Sequence, residues 1–242
     1  PATIRKQGAG FDLPIAAGIL SALGMIEENS LEHTLVIGEL SLDGGVNPVC
    51  GVLPIVIEAQ KGGCTRCILP RKNAEEGAVI QGIEIIGVDS LMELYEYLSH
   101  RKSIPATVFC RKTGTDARTD EVDFGDVQGQ RAAKRGLEVA AAGFHNVLLI
   151  GPPGAGKTLL AKCLPTILPP LSMEESLEVS KIYSVSGLLG PEEALITTRQ
   201  FVSPHHTVSD KALAGGGLIP RPGAVSLAHR SVLFLDELPE FK

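Results

Sequence analysis

Gly151-Pro152-Pro153-Gly154-Ala155-Gly156-Lys157-Thr158 decides how the rest of the chain is read. It satisfies G-x-x-x-x-G-K-[ST] at every fixed position. Ahead of it, Asn146-Val147-Leu148-Leu149-Ile150 has the apolar run of a buried strand; behind it, Leu159 to Leu164 opens a helix. Strand, glycine loop and helix is the order in which successive backbone N–H groups and a helix N-terminus converge on phosphate. In such a loop Lys157 reaches the β- and γ-phosphates of ATP, and the Thr158 hydroxyl ligates Mg²⁺. Every residue from Gly151 to Thr158 is therefore a candidate nucleotide contact. A turn that only joins a strand to a helix needs neither the lysine nor the threonine.

A second stretch supports the first. Ser231-Val232-Leu233-Phe234-Leu235-Asp236-Glu237 is an apolar run that ends in two carboxylates. That pattern suits a central parallel strand whose C-terminal end opens into a ligand crevice. Asp236 would hold the hydrated Mg²⁺, and Glu237 would polarise the attacking water. Many strands end in a solvated acid, so the signal is weak alone and strong beside the glycine loop.

A length of 242 residues gives one large or two ordinary domains. Hydrophobic residues make up 44% and charged residues 21%, as in a soluble globular chain. The net charge is −6, so no global basic field advertises nucleic acid, although a local patch can still bind it. Aromatics are sparse at 4%, and no Trp is present to stack on bases. Cys50, Cys64, Cys67, Cys110 and Cys163 form no disulfide framework, and an odd number of thiols beside a phosphate loop points to a reducing cytoplasm. Cys64-x-x-Cys67 has no second pair and precedes a strand-like run, which favours two packed thiols over zinc. No run of about 18 apolar residues is present to span a membrane.

The pattern divides the chain into residues 1–99, a linker over 100–122, and 123–242. In the first part, Ile15 to Leu23 reads as a buried helix. Thr34 to Leu42 reads as a strand system with a hairpin turn at Asp43-Gly44-Gly45, and Leu53 to Lys61 as a helix. Cys67 to Pro70 and Glu84 to Val88 read as strands, with a short helix from Ala74 to Ala78 and a helix capped by Ser90. In the linker, Ala106 to Cys110 forms a possible short strand. The last part carries a helix over Arg131 to Ala142, breaks at Leu164-Pro165 and Leu168-Pro169-Pro170, and a helix beginning at Ser172. Between Lys157 and Asp236 lies a long glycine- and proline-rich insertion with adjacent His205 and His206. Neighbours on an extended segment point to opposite faces, so these histidines suit one metal ion poorly; loop packing, or contact with DNA or another subunit, fits them better.

Three sets of residues carry a family resemblance. Lys6-x-Gly8-x-Gly10-x-Asp12-x-Pro14, Gly38-Glu39-x-x-x-x-Gly44 and Gly51-x-x-Pro54 resemble the Lon-protease-like (S5-like) fold, in its degenerate form at the N-terminus of magnesium-chelatase-related proteins. Lon-type peptidases use a serine–lysine dyad; laying the motifs together puts Gly10 at the serine position and Pro54 at the lysine position. Neither can do that chemistry, so no peptide substrate is expected. Asp123-x-x-Asp126-Val127-x-Gly129-Gln130 resembles the loop that lies over adenine in AAA+ ATPases, which makes Val127 and Gly129 candidate contacts. Pro204-His205-His206-Thr207, Gly215-Gly216-Gly217-x-Ile219-Pro220-Arg221-Pro222-Gly223 and the run from Val232 to Phe241 resemble the ComM/YifB-like group of magnesium-chelatase-related AAA+ ATPases.

The fold so implied is α/β: an α+β Lon-like domain lacking its beginning, then a P-loop AAA+ three-layer α/β domain that stops after the acidic strand. The resemblance further implies ATP and Mg²⁺ as ligands and a homo-oligomeric, hexameric ring. It also implies a DNA partner in branch migration during natural transformation. A magnesium-chelatase subunit, or a nucleotide-binding scaffold without turnover, stands as the alternative. Because these residues stop before the family's arginine finger and helical lid, they are expected by themselves to hydrolyse ATP poorly; an arginine finger is worth about 10³–10⁵ in rate.

Overall fold

The run Cys67-Ile68-Leu69-Pro70 is apolar at every position, and a strand with apolar side chains on both faces must be covered on both. The computed structural model describes residues 9–110, 123–190, 193–218 and 220–241, and that strand lies at the centre of a parallel sheet. The chain divides into two compact units: Pro1–Arg111 with Tyr183–Leu195, and Lys112–Ile182 with Ile196–Lys242.

The first unit runs α1 (Asp12–Ala22), β1 (Thr34–Val36), β2 (Glu39–Leu40), β3 (Val46–Asn47) and α2 (Val52–Lys61). It continues with β4 (Arg66–Pro70), α3 (Ala74–Ala78), β5 (Glu84–Val88) and α4 (Leu91–Leu98). The sheet order is β1-β4-β5, all parallel, with Cys67 opposite Leu35 on one side and Ile85 on the other. Because side chains alternate along a strand, Ile68, Ile86 and Val88 face one way. They form a core with Leu13 and Ala17 of α1 and Leu94 and Leu98 of α4. Leu69 and Ile85 face the other way, where α3 approaches so closely that a Cβ on Gly77 would stand 3.0 Å from Leu69. The expected hairpin forms as the antiparallel pair β2–β3. It sits beside Gly38, where any side chain would collide with Leu13 at 2.8 Å.

Two expectations for this unit are corrected. The segment predicted as a buried helix is α1, but only Leu13 and Ala17 are buried while Ile15 and Ile19 are exposed. Residues four apart share a helix face, so the two pairs look in opposite directions. No strand forms over Ala106–Cys110, where one hydrogen bond, Thr107 N–H to the Ile85 carbonyl, replaces a ladder. Residues 111–122 of the expected linker lie outside the described residues.

A carboxylate is buried in this unit with no cation paired to it among the described residues. Glu76 accepts from the Leu53 amide at 3.2 Å, from Asn73 Nδ2 at 3.0 Å and from the Ser184 hydroxyl. Asn73 in turn bridges the amide and carbonyl of Val49. Through Ser184, whose carbonyl also accepts from the Gly51 amide, Glu76 ties the stretch Tyr183–Leu195 to the start of α2.

The second unit holds α5 (Arg131–Gly143), α6 (Lys157–Ile167), the greater part of α7 (Met173–Ser186) and β6 (Phe201–Val202). It ends with α8 (Asp210–Ala214), the pair β7 (Gly215–Gly216) and β8 (Arg221–Pro222), α9 (Ala224–Leu227) and β9 (Val232–Leu233). α5 and α6 close over Phe124, Val127, Leu137, Leu160 and Cys163. Ser172 and Glu175 cap α7 reciprocally, each side chain accepting from the other's amide. β6 and β9 pair in parallel.

Here three further expectations change. Asn146–Ile150 forms no strand, and Leu148 and Ile150 are 70% and 88% exposed. An extended segment becomes a strand only against a partner, and among the described residues β9 pairs with β6 alone. The strand expected over Ser231–Glu237 is confined to Val232–Leu233 for the same reason. The break expected at Leu164-Pro165 does not occur, since α6 continues through Pro165 to Ile167. Within the last turn a proline forgoes one amide hydrogen bond, and its fixed φ still suits a helix. Among the described residues, no helix is long and apolar enough to cross a membrane, and no group of three or more His, Cys, Asp or Glu is placed to hold a metal ion.

Removing the Glu76 carboxylate strands three donors, so Glu76→Ala should cost about 3 kcal/mol in urea unfolding, whereas Glu58→Ala, at an exposed pair with Lys61, should cost under about 1 kcal/mol. Equal costs would remove Glu76 from its place as a hub. Burial, with the neighbouring Cys64 thiol as the lesser cause, pushes the Cys67 thiol up to about 12. At pH 8 an alkylating reagent should therefore modify exposed Cys50 and Cys110 and spare Cys67; comparable rates would overturn the packed-thiol reading.

Candidate functional site

The glycine loop turns between Pro152 and Lys157, and the Ala155 amide donates to the Pro152 carbonyl at 3.3 Å. Gly154 and Gly156 have φ of 78° and 79°, in the left-handed region that glycine enters without cost. A Cβ at either would meet nothing within 4 Å, so backbone conformation, not crowding, demands glycine there. Gly156 is the N-cap of α6, whose first N–H groups have no partner within the helix. The loop is steadied from the N-cap of α5, where Gln130 Nε2 donates to the Ala155 carbonyl at 3.2 Å.

Lys157 curls over the loop and donates from Nζ to the carbonyls of Gly151 and Pro152, each at 2.9 Å. The Thr158 hydroxyl donates to Asp236 Oδ2 at 3.2 Å. The opposite oxygen of Asp236 accepts from the Glu237 amide at 3.1 Å. Glu237 has a left-handed backbone, φ 55°, and its Oε2 lies 3.0 Å from Nδ1 of His206. The loop residues, Val147 to Ile150 and Val232 to Glu237 line an open cavity of roughly 1300 Å³.

Lys157, Thr158, Asp236 and Glu237, chosen from two stretches of sequence, thus line one cavity with Gly151, Pro153, Gly154, Ala155 and Gly156. Pro152 does not line it; its carbonyl accepts from Lys157. Val127 and Gly129 do not line this cavity; Val127 is packed in the core between α5 and α6, and Gly129 stands one residue before the N-cap of α5. The two histidines also differ from expectation. The chain turns at His206, and the two rings lie side by side with centroids 4.1 Å apart instead of on opposite faces.

Sequence reasoning named Gln130 and His206 without their partners here, and gave Arg199 no role. Gln130 steadies the loop, and His206 meets Glu237. Arg199 is buried and donates to the carbonyls of Pro169 and Arg230, with its guanidinium over the Phe144 ring. The contacts themselves carry no local signal, because Ala155, Glu237, Pro169 and Phe144 lie 25 or more positions from the residues that meet them.

The chain matches the family model described as magnesium chelatase, subunit ChlI, over residues 123–242, and a second model, subunit ChlI of Mg-chelatase, over residues 1–73. It is 43% identical to the protein YifB of Escherichia coli and 39% identical to competence protein ComM of Haemophilus influenzae, each over 100% of this chain. It covers 47% and 48% of those two proteins, about half the length of these curated relatives. A partial likeness, 36% identity over 98 residues, links 40% of the chain to 17% of Lon protease 2 of Bacillus subtilis. With both family models and these full-chain likenesses agreeing, the chain belongs to the magnesium-chelatase-related AAA+ family that includes the ComM and YifB proteins.

Proposed function

We propose that the second unit binds Mg-ATP in the cavity over the glycine loop, and that the full-length protein hydrolyses it there. The observation that carries this reading is the 3.2 Å contact between Thr158 and Asp236, which brings two oxygen donors 78 positions apart to one point beside the loop. Mg²⁺ takes few protein oxygens and keeps waters and substrate phosphates for the rest, so this pair fits it. There the ion would neutralise charge on the phosphates. Lys157 is placed to exchange its two loop carbonyls for phosphate oxygens, and the unpaired amides at the start of α6 add their dipole to the anion. Glu237, one residue beyond Asp236, is assigned to hold the attacking water and take its proton. Val127 and Gly129, which do not line this cavity, are given no contact with the nucleotide in this reading.

The wider role is proposed from the relatives. The likeness to a protein named competence protein ComM favours a role in competence; the finer reading, an oligomeric ring acting on branched DNA during transformation, rests on the family resemblance of the sequence motifs. The Lon-like first unit serves docking or assembly in this reading. Gly10 has room for a side chain, since a Cβ would lie 3.6 Å from Val49, yet it carries none. Pro54 stands in the first turn of α2, where its missing N–H costs nothing, and offers no amine.

ATP turnover by the full-length protein should rise with branched DNA, and Lys157→Ala should remove that turnover by about a hundredfold or more. Glu237→Gln should bind ATP with near-normal affinity while slowing hydrolysis by about 10²–10⁴. Normal turnover in both variants would sink the site; turnover indifferent to DNA would replace the DNA motor with a chelatase-like or other remodelling role.

A further inference from the structure

β6 and β9 pair in parallel, with Phe201 opposite Val232 and Val202 opposite Leu233. Segments that leave the same edge of a parallel pair start side by side. Four residues beyond Val202 stands His206, and four beyond Leu233 stands Glu237. Their side chains meet, with His206 Nδ1 3.0 Å from Glu237 Oε2.

We propose that His206 is the positioning residue for Glu237: it donates from Nδ1 to one carboxylate oxygen and leaves the other free for water. This rests on the reading of Glu237 as the group that activates water. The Glu237 backbone is already held, its amide by Asp236 and its carbonyl by the Glu240 amide at 2.8 Å. The side chain is 65% exposed, and an exposed glutamate free of partners samples many rotamers. The His206 contact selects one of them.

The imidazole is itself supported. Its ring packs on His205, tilted by 35°, and His205 Nδ1 accepts from the Thr207 amide at 3.3 Å, with the Thr207 hydroxyl 2.9 Å away. A short planar side chain packed in this way has a fixed N–H direction. Both Nδ1 atoms are thereby committed to protein partners, and the histidine pair serves the carboxylate.

The test compares His206→Ala, His206→Asn, Glu237→Gln and the His206→Ala/Glu237→Gln double variant in the full-length protein, with ATP turnover and binding of a fluorescent ATP analogue as readouts. Asparagine places an amide N–H near the position of Nδ1. His206→Ala should lower kcat by about tenfold to a hundredfold, part of what a positioned base contributes, with KM and analogue affinity within about twofold. His206→Asn should recover most of the rate, and the double variant should be no slower than Glu237→Gln. A kcat for His206→Ala within about twofold of wild type, a change in KM alone, or additive losses would overturn the assignment. If Glu237→Gln is slow and His206→Ala is normal, only the role of His206 fails. If Glu237→Gln is as fast as wild type, the reading of Glu237 fails and takes this inference with it.

Discussion

The parallel pairing of Phe201–Val202 with Val232–Leu233 is the constraint on which the site depends. It joins residues 31 positions apart, and closing a loop of that length costs about 3 kcal/mol from chain entropy alone. Two ladder residues cannot carry that unaided. The pairing is extended at both ends: the Arg199 guanidinium takes the Arg230 carbonyl, and the Ser231 hydroxyl accepts from the Gln200 amide at 2.9 Å. Beyond the ladder, the Phe234 amide reaches the Val202 carbonyl at 2.9 Å, and the Phe201 and Phe234 rings stack at 5.7 Å. An aromatic pair of this kind adds about 1 kcal/mol. From Arg199 to His206 on one side and Arg230 to Glu237 on the other, the two segments are held in a single register, and that register delivers both carboxylates to the loop.

The glycine loop contributes the other half by conformation. Its two left-handed glycines let the chain reverse just before α6, so that the first amides of the helix, without partners inside it, and the Lys157 ammonium stand at one loop. Lys157 spends its charge on two carbonyls of its own loop, neutral acceptors that an anionic phosphate outcompetes by charge. Thr158 instead meets Asp236. Adjacent residues therefore divide between two tasks, which is what the first turn of a helix imposes on successive side chains.

In the first unit the same kind of long-range commitment is made by a polar group. Glu76 is buried and, among the described residues, is stabilised by three donors and no cation; one donor is Ser184, 108 positions away. A carboxylate held this way is an obligate part of the packing, because each donor it satisfies would otherwise be buried unpaired. The Lon-like sheet thus retains a polar interior beside α2 although Gly10 and Pro54 carry no dyad chemistry.

Much was legible without coordinates. The sequence alone determined the α/β class, the β4 and β5 strands, helices α2 to α4, the glycine loop and the identities of Lys157, Thr158, Asp236 and Glu237, because each is signalled by residues within a few positions of one another. Periodicity reports which residues are apolar; it does not report whether a strand has a partner. That is why Asn146–Ile150 reads as a buried strand and stands exposed, and why α1 reads as buried through and presents Ile15 and Ile19 outward. Only the tertiary structure decided that Thr158 meets Asp236, that His206 meets Glu237, and that Ser184 joins Glu76. Those contacts arise from strand register and burial across tens of residues, and no local pattern of side chains encodes the distance at which two remote segments come to rest.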